Sequence, residues 1–336
     1  MTVQGSDRGP DFVVLTGFLG SGKTTLLRDF LTGHEAADTA VMVNEAGEIG
    51  LDGAILSEGN ETPIAMLSNG CICCQAGSDL AFTIDRLLSV ERPGATGPLK
   101  RIVLETSGLS KPGPVLRQLA SLAEHRLRVS VLATYDATRG PETAAFEEAA
   151  AQWAAAHRIV VTKADAVSPE VLARAQEDVA SINPLAEIVA TDDRTRAVAA
   201  AFAPLTSAAP MPVPAEVATP AHARIAVRLA RPTGVLAYDD LAAWLDNLAG
   251  ALGERLLRLK GLVRVEESER PLLVQSVGTL FAPPRPFGAS EATPLFVVII
   301  ARDLQPAELE TVAPAGLFGF SSYGGLSSVQ RFVRVA

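Results

Sequence analysis

Short, almost wholly apolar runs alternate with amphipathic stretches through the first 195 residues or so. DFVVLTG (11–17), TAVMVNE (39–45), RIVLET (101–106), RVSVLATYDA (128–137) and HRIVVTKAD (157–165) read as strands. KTTLLRDFL (23–31) reads as a helix burying Leu26, Leu27, Phe30 and Leu31, with Gly33 at its stop. Helical spacing recurs near 78–90, 112–124, 141–156 and 169–181. Strands apolar on both faces and separated by helices predict an α/β fold, a mostly parallel sheet covered by helices on both sides.

The pattern then changes. AFAPLTSAAPMPVPAEVATPA (201–221) is rich in Ala and Pro, as suits a semi-rigid extended linker. Beyond it come a strand (224–230) and a helix (238–252) that places Leu241, Trp244, Leu245, Leu248 and Leu252 on one face. Strands at 260–266, 271–280 and 294–302, a short helix near 306–312 and a Gly- and Ser-rich loop at 313–328 complete the pattern. The expected organisation is an α/β domain over 1–200, a linker over 201–221 and a smaller α+β domain over 222–336 with an antiparallel sheet.

Composition narrows the class. The 336 residues are 48% hydrophobic and 20% charged, ample for a buried core. The net charge of −9 is carried by the first part: residues 1–221 hold 17 basic and 27 acidic side chains, residues 222–336 hold 12 and 11. Such a chain is not expected to bind nucleic acid or an anionic membrane surface. No apolar run reaches the roughly 18–20 residues that span a bilayer, and no secretory leader is legible, so a cytoplasmic protein is expected. The three cysteines, Cys71, Cys73 and Cys74, fall within four residues and cannot form a loop-closing disulfide framework. They read as a thiolate cluster in a reducing compartment.

The chemistry begins at Gly17-Phe18-Leu19-Gly20-Ser21-Gly22-Lys23-Thr24, which satisfies G-x-x-x-x-G-K-[ST] between a strand and a helix. Backbone N–H groups from Gly17 to Thr25, among them those of Gly20, Ser21 and Gly22, are expected to face phosphate oxygens. The helix dipole adds to this field. Lys23 is expected on the β/γ-phosphates and Thr24 on Mg²⁺. The chain has five lysines against 24 arginines, so a lysine at this position is a specific signal.

A phosphate loop needs a carboxylate at a neighbouring strand end to hold Mg²⁺ through water. Glu105 supplies it, and Gly108 three residues later offers an N–H to a γ-phosphate. Lys23, Thr24 and Glu105 are thus the expected catalytic set. In Thr162-Lys163-Ala164-Asp165 the Asp can accept from guanine N1–H and the 2-amino group, while the Lys163 stem lies along the purine.

Asn69-Gly70-Cys71-Ile72-Cys73-Cys74 offers soft donors suited to Zn²⁺, Co²⁺ or Cu⁺. Redox chemistry or inert buried thiols are the alternatives. Asn44 to Asp52, with Glu45 and Glu48 among glycines, reads either as a solvated turn or as a segment that senses the γ-phosphate. The four histidines are scattered and read as surface or core.

Taken together, GFLGSGKTT, NEAGEIGLDG, GCICC, ETSGLSKP, TKAD, INPLAEI (182–188) and LLRLKGLVRV (256–265) resemble the CobW-like metallochaperone GTPases, relatives of the nickel-insertion GTPases of hydrogenase and urease. The resemblance implies a P-loop GTPase joined to a CobW C-terminal-like domain, with GTP and magnesium as cofactors and zinc or cobalt as cargo. It makes Cys71, Cys73 and Cys74 the ligands of the transferable metal and Thr24 the Mg²⁺ ligand. A client metalloprotein or metal-cofactor biosynthesis protein is the implied partner, and a nucleotide- or metal-dependent dimer is compatible with it. Thr162 stands where many GTPases have Asn, and His157 where the family often has Asp. A small-molecule kinase with core cysteines and a nucleotide-indifferent metal buffer are the rival readings.

Overall fold

The computed structural model describes residues 9–33, 36, 38–43, 64–66, 78–89, 97–120, 122–205, 224–288, 294–313 and 316–322. Strands β1 (Asp11–Gly17), β2 (Thr39–Val43), β3 (Ile64–Met66), β4 (Arg101–Glu105), β5 (Arg128–Asp136), β6 (Arg158–Thr162) and β7 (Glu187–Val189) form one sheet in the order β3-β2-β4-β1-β5-β6-β7. Every pair in it is parallel. Side chains alternate between two buried faces, as the unbroken apolar runs require. Val13, Leu15, Val41, Val43, Val103, Leu132 and Val160 pack under α1 (Lys23–Leu31) and α7 (Arg194–Phe202). Phe12, Val14, Met42, Ile102, Leu104, Val131, Ala133, Ile159 and Val161 face the other way. There they meet α2 (Ser78–Ser89), α3 (Pro112–Ala120), α5 (Glu147–Ala155) and α6 (Pro169–Ile182).

Strands β8 (Ile225–Pro232), β9 (Leu256–Val263), β10 (Leu272–Val277), β11 (Leu280–Pro286), β12 (Phe296–Arg302) and β13 (Phe318–Ser322) form an antiparallel sheet in the order β11-β10-β9-β12-β8-β13. One face is covered by α8 (Tyr238–Leu252) and α9 (Pro306–Val312). Leu241, Trp244, Leu245, Leu248 and Leu252 are the buried stripe of α8, as the spacing predicts. Among the described residues no helix is long and apolar enough to cross a membrane.

Several elements differ from the sequence reading. The helix expected over 141–156 is broken into α4 (Gly140–Thr143) and α5, because Phe146 between them is extended. The helix expected over 112–124 ends at Ala120. The strand expected over 271–280 is a hairpin, β10 and β11, turning at Gly278-Thr279. The strand expected at 260–266 begins earlier, at Leu256. The loop expected at 313–328 contains β13, whose Phe318 ring stacks at 4.0 Å on Trp244. Neither β7 nor α7 was legible; α7 is N-capped by Asp193, which accepts from the Arg196 N–H at 3.0 Å.

Helix α5 lies between the two sheets and explains its own composition. Ala149, Ala150, Ala151, Ala154 and Ala155 are all buried, since a helix contacted from both sides must be narrow and apolar nearly all round. One hydrophobic cluster runs from Val131 and Ile159 through α5 to Ile225, Leu229, Leu257, Phe296 and Ile300 of the second sheet. Trp153 anchors the helix by donating its indole N–H to Thr134 O at 3.0 Å.

Cations crowd this seam. His157 accepts the Val131 N–H on Nδ1 at 3.0 Å. Burial, then Arg258, Lys260 and Arg158, push its pKa well down, so it acts as a neutral acceptor where relatives were expected to carry a carboxylate. Burial and the neighbouring Arg258 push Lys260 down to about 8. Arg258 is 3% exposed, and its Nε and Nη1 have no hydrogen-bond partner among the described residues. A buried cation without its hydrogen bonds costs more than an apolar side chain of similar volume. Arg258→Met is therefore expected to stabilise the fold by on the order of 1–3 kcal/mol and to raise Tm by a few degrees in a thermal melt at pH 7. A lower Tm would show that Arg258 contributes binding energy within the seam.

Candidate nucleotide site

In a parallel sheet the carboxyl ends of all strands open on one edge, where ligands bind. Here β1, β4, β5 and β6 bring four segments to that edge: 17–24, 105–111, 134–138 and 162–165. The loop after β1 turns through Gly17, Gly20 and Gly22, each with positive φ, and Gly22 at +89° leads into α1. That conformation favours glycine and turns successive N–H groups inward. The buried Lys23 donates from Nζ to Gly17 O at 2.9 Å and Phe18 O at 3.3 Å, bracing the loop from inside. Ser21 Oγ lies 2.6 Å from Thr134 Oγ1, tying the loop to β5. Thr25 is exposed at the start of α1.

Thr24 Oγ1 donates to Glu105 Oε1 at 2.6 Å, and Glu105 is only 3% exposed. A hydroxyl and a carboxylate held together at the phosphate-loop helix form a donor set of hard oxygens, which fits Mg²⁺ rather than a soft metal. The next turn follows at once: Thr106 N–H donates to Leu15 O at 2.9 Å and Ser110 N–H to Ser107 O at 3.0 Å. Gly108 sits hard against the phosphate loop, where an added Cβ would lie 2.7 Å from Leu19 N. Only glycine permits that approach.

The departure at Thr162 has a structural explanation. Its hydroxyl donates to Ser21 O at 2.8 Å, with Tyr135 O at 3.1 Å sharing the same proton, and so joins the 162–165 segment to the phosphate loop. Lys163, with φ +55°, reverses the chain and donates from Nζ to Asp136 Oδ2 at 2.5 Å. Burial alone would raise the Asp136 pKa; the hydrogen bonds from Lys163 and Thr138 outweigh it and hold the carboxyl below its usual value. Asp165 follows in a short 3-10 turn with its side chain exposed on the rim.

Thr134, Asp136 and Gln152 belong to this edge, and the sequence reading did not single them out. The signal for Asp136 was its place at the end of a strand paired with β1. Cys71, Cys73 and Cys74, and the segment from Asn44 to Asp52, lie outside the described residues. Among the described residues no group of three or more His, Cys, Asp or Glu is gathered to hold a metal.

Comparison with known proteins agrees with this architecture. Residues 11–190 match the family model described as CobW/HypB/UreG, nucleotide-binding domain, and residues 226–312 match the cobalamin synthesis protein cobW C-terminal domain. The chain is 30% identical to a protein of Pseudomonas aeruginosa named zinc chaperone CobW, covering 88% of each. It is 29% identical to the Escherichia coli protein named zinc chaperone YjiA, over 82% of this chain and 89% of that one. The crystal structure of Zn(II)-bound YjiA GTPase from Escherichia coli superposes with a TM-score of 0.67 at 25% identity, covering 91% of this chain and 98% of that one. With both models matched in order along one chain, the protein belongs to the CobW/HypB/UreG family, in the form that carries a CobW C-terminal domain.

Proposed function

We propose that this protein is a GTP-hydrolysing metallochaperone that binds zinc at Cys71, Cys73 and Cys74 and passes it to a client metalloprotein or cofactor pathway, gated by the GTP or GDP state. The observation that carries the reading is the Thr24–Glu105 hydrogen bond at the mouth of the phosphate loop, with Gly108 pressed on the same loop. The names of the relatives favour zinc over cobalt as the cargo. Residues 1–200 form the nucleotide part, 201–221 the linker and 222–336 the second part. The setting is the reducing cytoplasm, which keeps three clustered thiols free.

Each residue of the edge has a task in this mechanism. Phosphates sit on the N–H groups between Gly17 and Thr25, and Lys23 moves its ammonium from the loop carbonyls to the β/γ oxygens. Thr24 and Glu105 are the residues that would hold magnesium, and the ion would supply positive charge against the transferring phosphoryl group. Gly108 directs its N–H at the γ-phosphate. Asp165 accepts from the guanine edge, and Lys163, aimed by Asp136, lies along the ring. Loss of the γ-phosphate removes the Gly108 contact, and release of the metal is coupled to that loss.

Coupling between two ligands is reciprocal, so a nucleotide that tightens the metal site must itself bind more tightly when metal is present. Zinc affinity measured by competition with a chromophoric chelator is expected to be about tenfold or more higher with a non-hydrolysable GTP analogue than with GDP. Substituting all three cysteines with Ala should remove that zinc, and with it the zinc-dependent gain in GTP affinity, while leaving the zinc-free GTP affinity intact. Equal zinc affinity in both nucleotide states would support the metal-buffer reading. Phosphate transfer to an added small molecule, without stoichiometric zinc, would support the kinase.

A further inference from the structure

The 106–111 turn, which in the proposed mechanism carries the γ-phosphate contact, is held from beneath as well as from the loop side. Gln152 of α5 is fully buried, and its Nε2 donates to Gly108 O at 3.0 Å and Ser110 O at 2.9 Å. One amide thus fixes both ends of the three-residue stretch at the turn's centre. Its Oε1 is buried with no hydrogen-bond partner among the described residues, so the polar group is not there for packing. A carbonyl oxygen presented to those two carbonyls would be repelled, so the geometry requires the NH₂ end to face the turn.

Helix α5 is itself anchored at its N-terminal end. Phe146, just before it, stacks on Phe18 of the phosphate loop at 4.7 Å. Glu147 in its first turn takes Lys111, the residue that ends the turn, together with Arg302 of β12 and Arg224 beside β8 at 2.6 Å. Hydrogen bonds from Lys111, then the Arg302 and Arg224 charges, hold the Glu147 carboxyl below its usual pKa. The helix that carries Gln152 is therefore referenced to the phosphate loop on one side and to the second sheet on the other.

We propose that Gln152 is a positioning residue for nucleotide hydrolysis: it holds the Gly108–Ser110 turn so that the Gly108 N–H meets the γ-phosphate, on a helix whose own position is set by the second sheet. This rests on the GTPase reading above. GDP makes no demand on the turn, whereas GTP and its transition state do, so the effect is confined to γ-phosphate-dependent quantities.

The test uses the full-length protein with magnesium. Gln152→Met keeps the volume and removes both donors, and is expected to lower kcat about 10- to 100-fold. The affinity for a non-hydrolysable GTP analogue should fall about fivefold, with GDP affinity within twofold of wild type. Gln152→Glu is the second variant. As a carboxylate it repels both carbonyls; protonated, it donates one hydrogen bond, and burial raises its pKa toward the working range. Its kcat is expected to recover severalfold, relative to wild type, as pH falls from 8 to 6. GDP affinity reports folding in both variants. Unchanged kcat and analogue affinity in an active background would overturn the proposal, as would equal weakening of GDP and analogue. A wild-type protein without GTP hydrolysis would instead overturn the reading on which it rests.

Discussion

Lys23→Ala is expected to lower GTP turnover by about a thousandfold or more, measured as phosphate release under saturating nucleotide. Two losses combine. In the transition state charge spreads over the oxygens of the transferring phosphoryl group, and the ammonium is a full positive charge placed there by the chain in a partly desolvated loop. The same ammonium also donates to Gly17 O and Phe18 O, and its removal loses both bonds, leaving Phe18 O with the Ser21 N–H at 3.1 Å. Lys23→Met, which keeps the buried stem but neither the charge nor the donors, separates both of these losses from lost packing. It should restore GDP binding relative to Ala while leaving hydrolysis low. Turnover within tenfold of wild type in both variants would show that the loop does not bear a reacting phosphate.

Asp165→Asn is expected to change the base read by the site. In the proposed site the carboxylate would accept from two donors, guanine N1–H and the 2-amino group. An amide turns one of its positions into a donor facing a donor. GTP affinity should fall about 100-fold or more. Xanthosine triphosphate, which carries a carbonyl in place of the 2-amino group, should gain affinity for the variant over wild type. Competition against a fluorescent nucleotide reads both numbers. Asp165 stands exposed on a 3-10 turn, so this exchange costs little in the fold. An unaltered preference among GTP, ATP and xanthosine triphosphate would place base recognition elsewhere.

The parts of the molecule legible in the sequence are those whose cause is local. Parallel strands buried on both faces announce themselves as short apolar runs, and β1, β4, β5 and β6 stand within a few residues of where those runs predict. The phosphate loop, Glu105 and Thr162–Asp165 are motifs a few residues long whose spacing carries their chemistry. What escaped depends on distant partners. β13 exists because Phe318 to Ser322 pair with β8 some 90 residues earlier, and no local pattern distinguishes that stretch from a loop. Gln152 reads as one polar residue in an alanine run; only its reach to carbonyls more than 40 residues back gives it a role. Thr162 illustrates the converse. Its position in the motif was legible, but its partner, the Ser21 carbonyl, was visible only in three dimensions.

The chain has two tryptophans, and the fold gives one to each sheet. Trp153 sits at the seam with its indole N–H bonded to Thr134 O, beside the segment that meets the phosphate loop. Trp244 lies in the second core against Phe318, with its indole N–H unbonded among the described residues. The two indoles therefore differ in the polarity of their surroundings and are expected to emit at different wavelengths, Trp244 to the blue. Without any label, the protein carries one optical reporter for the helix between its sheets and another for the far side of the second sheet.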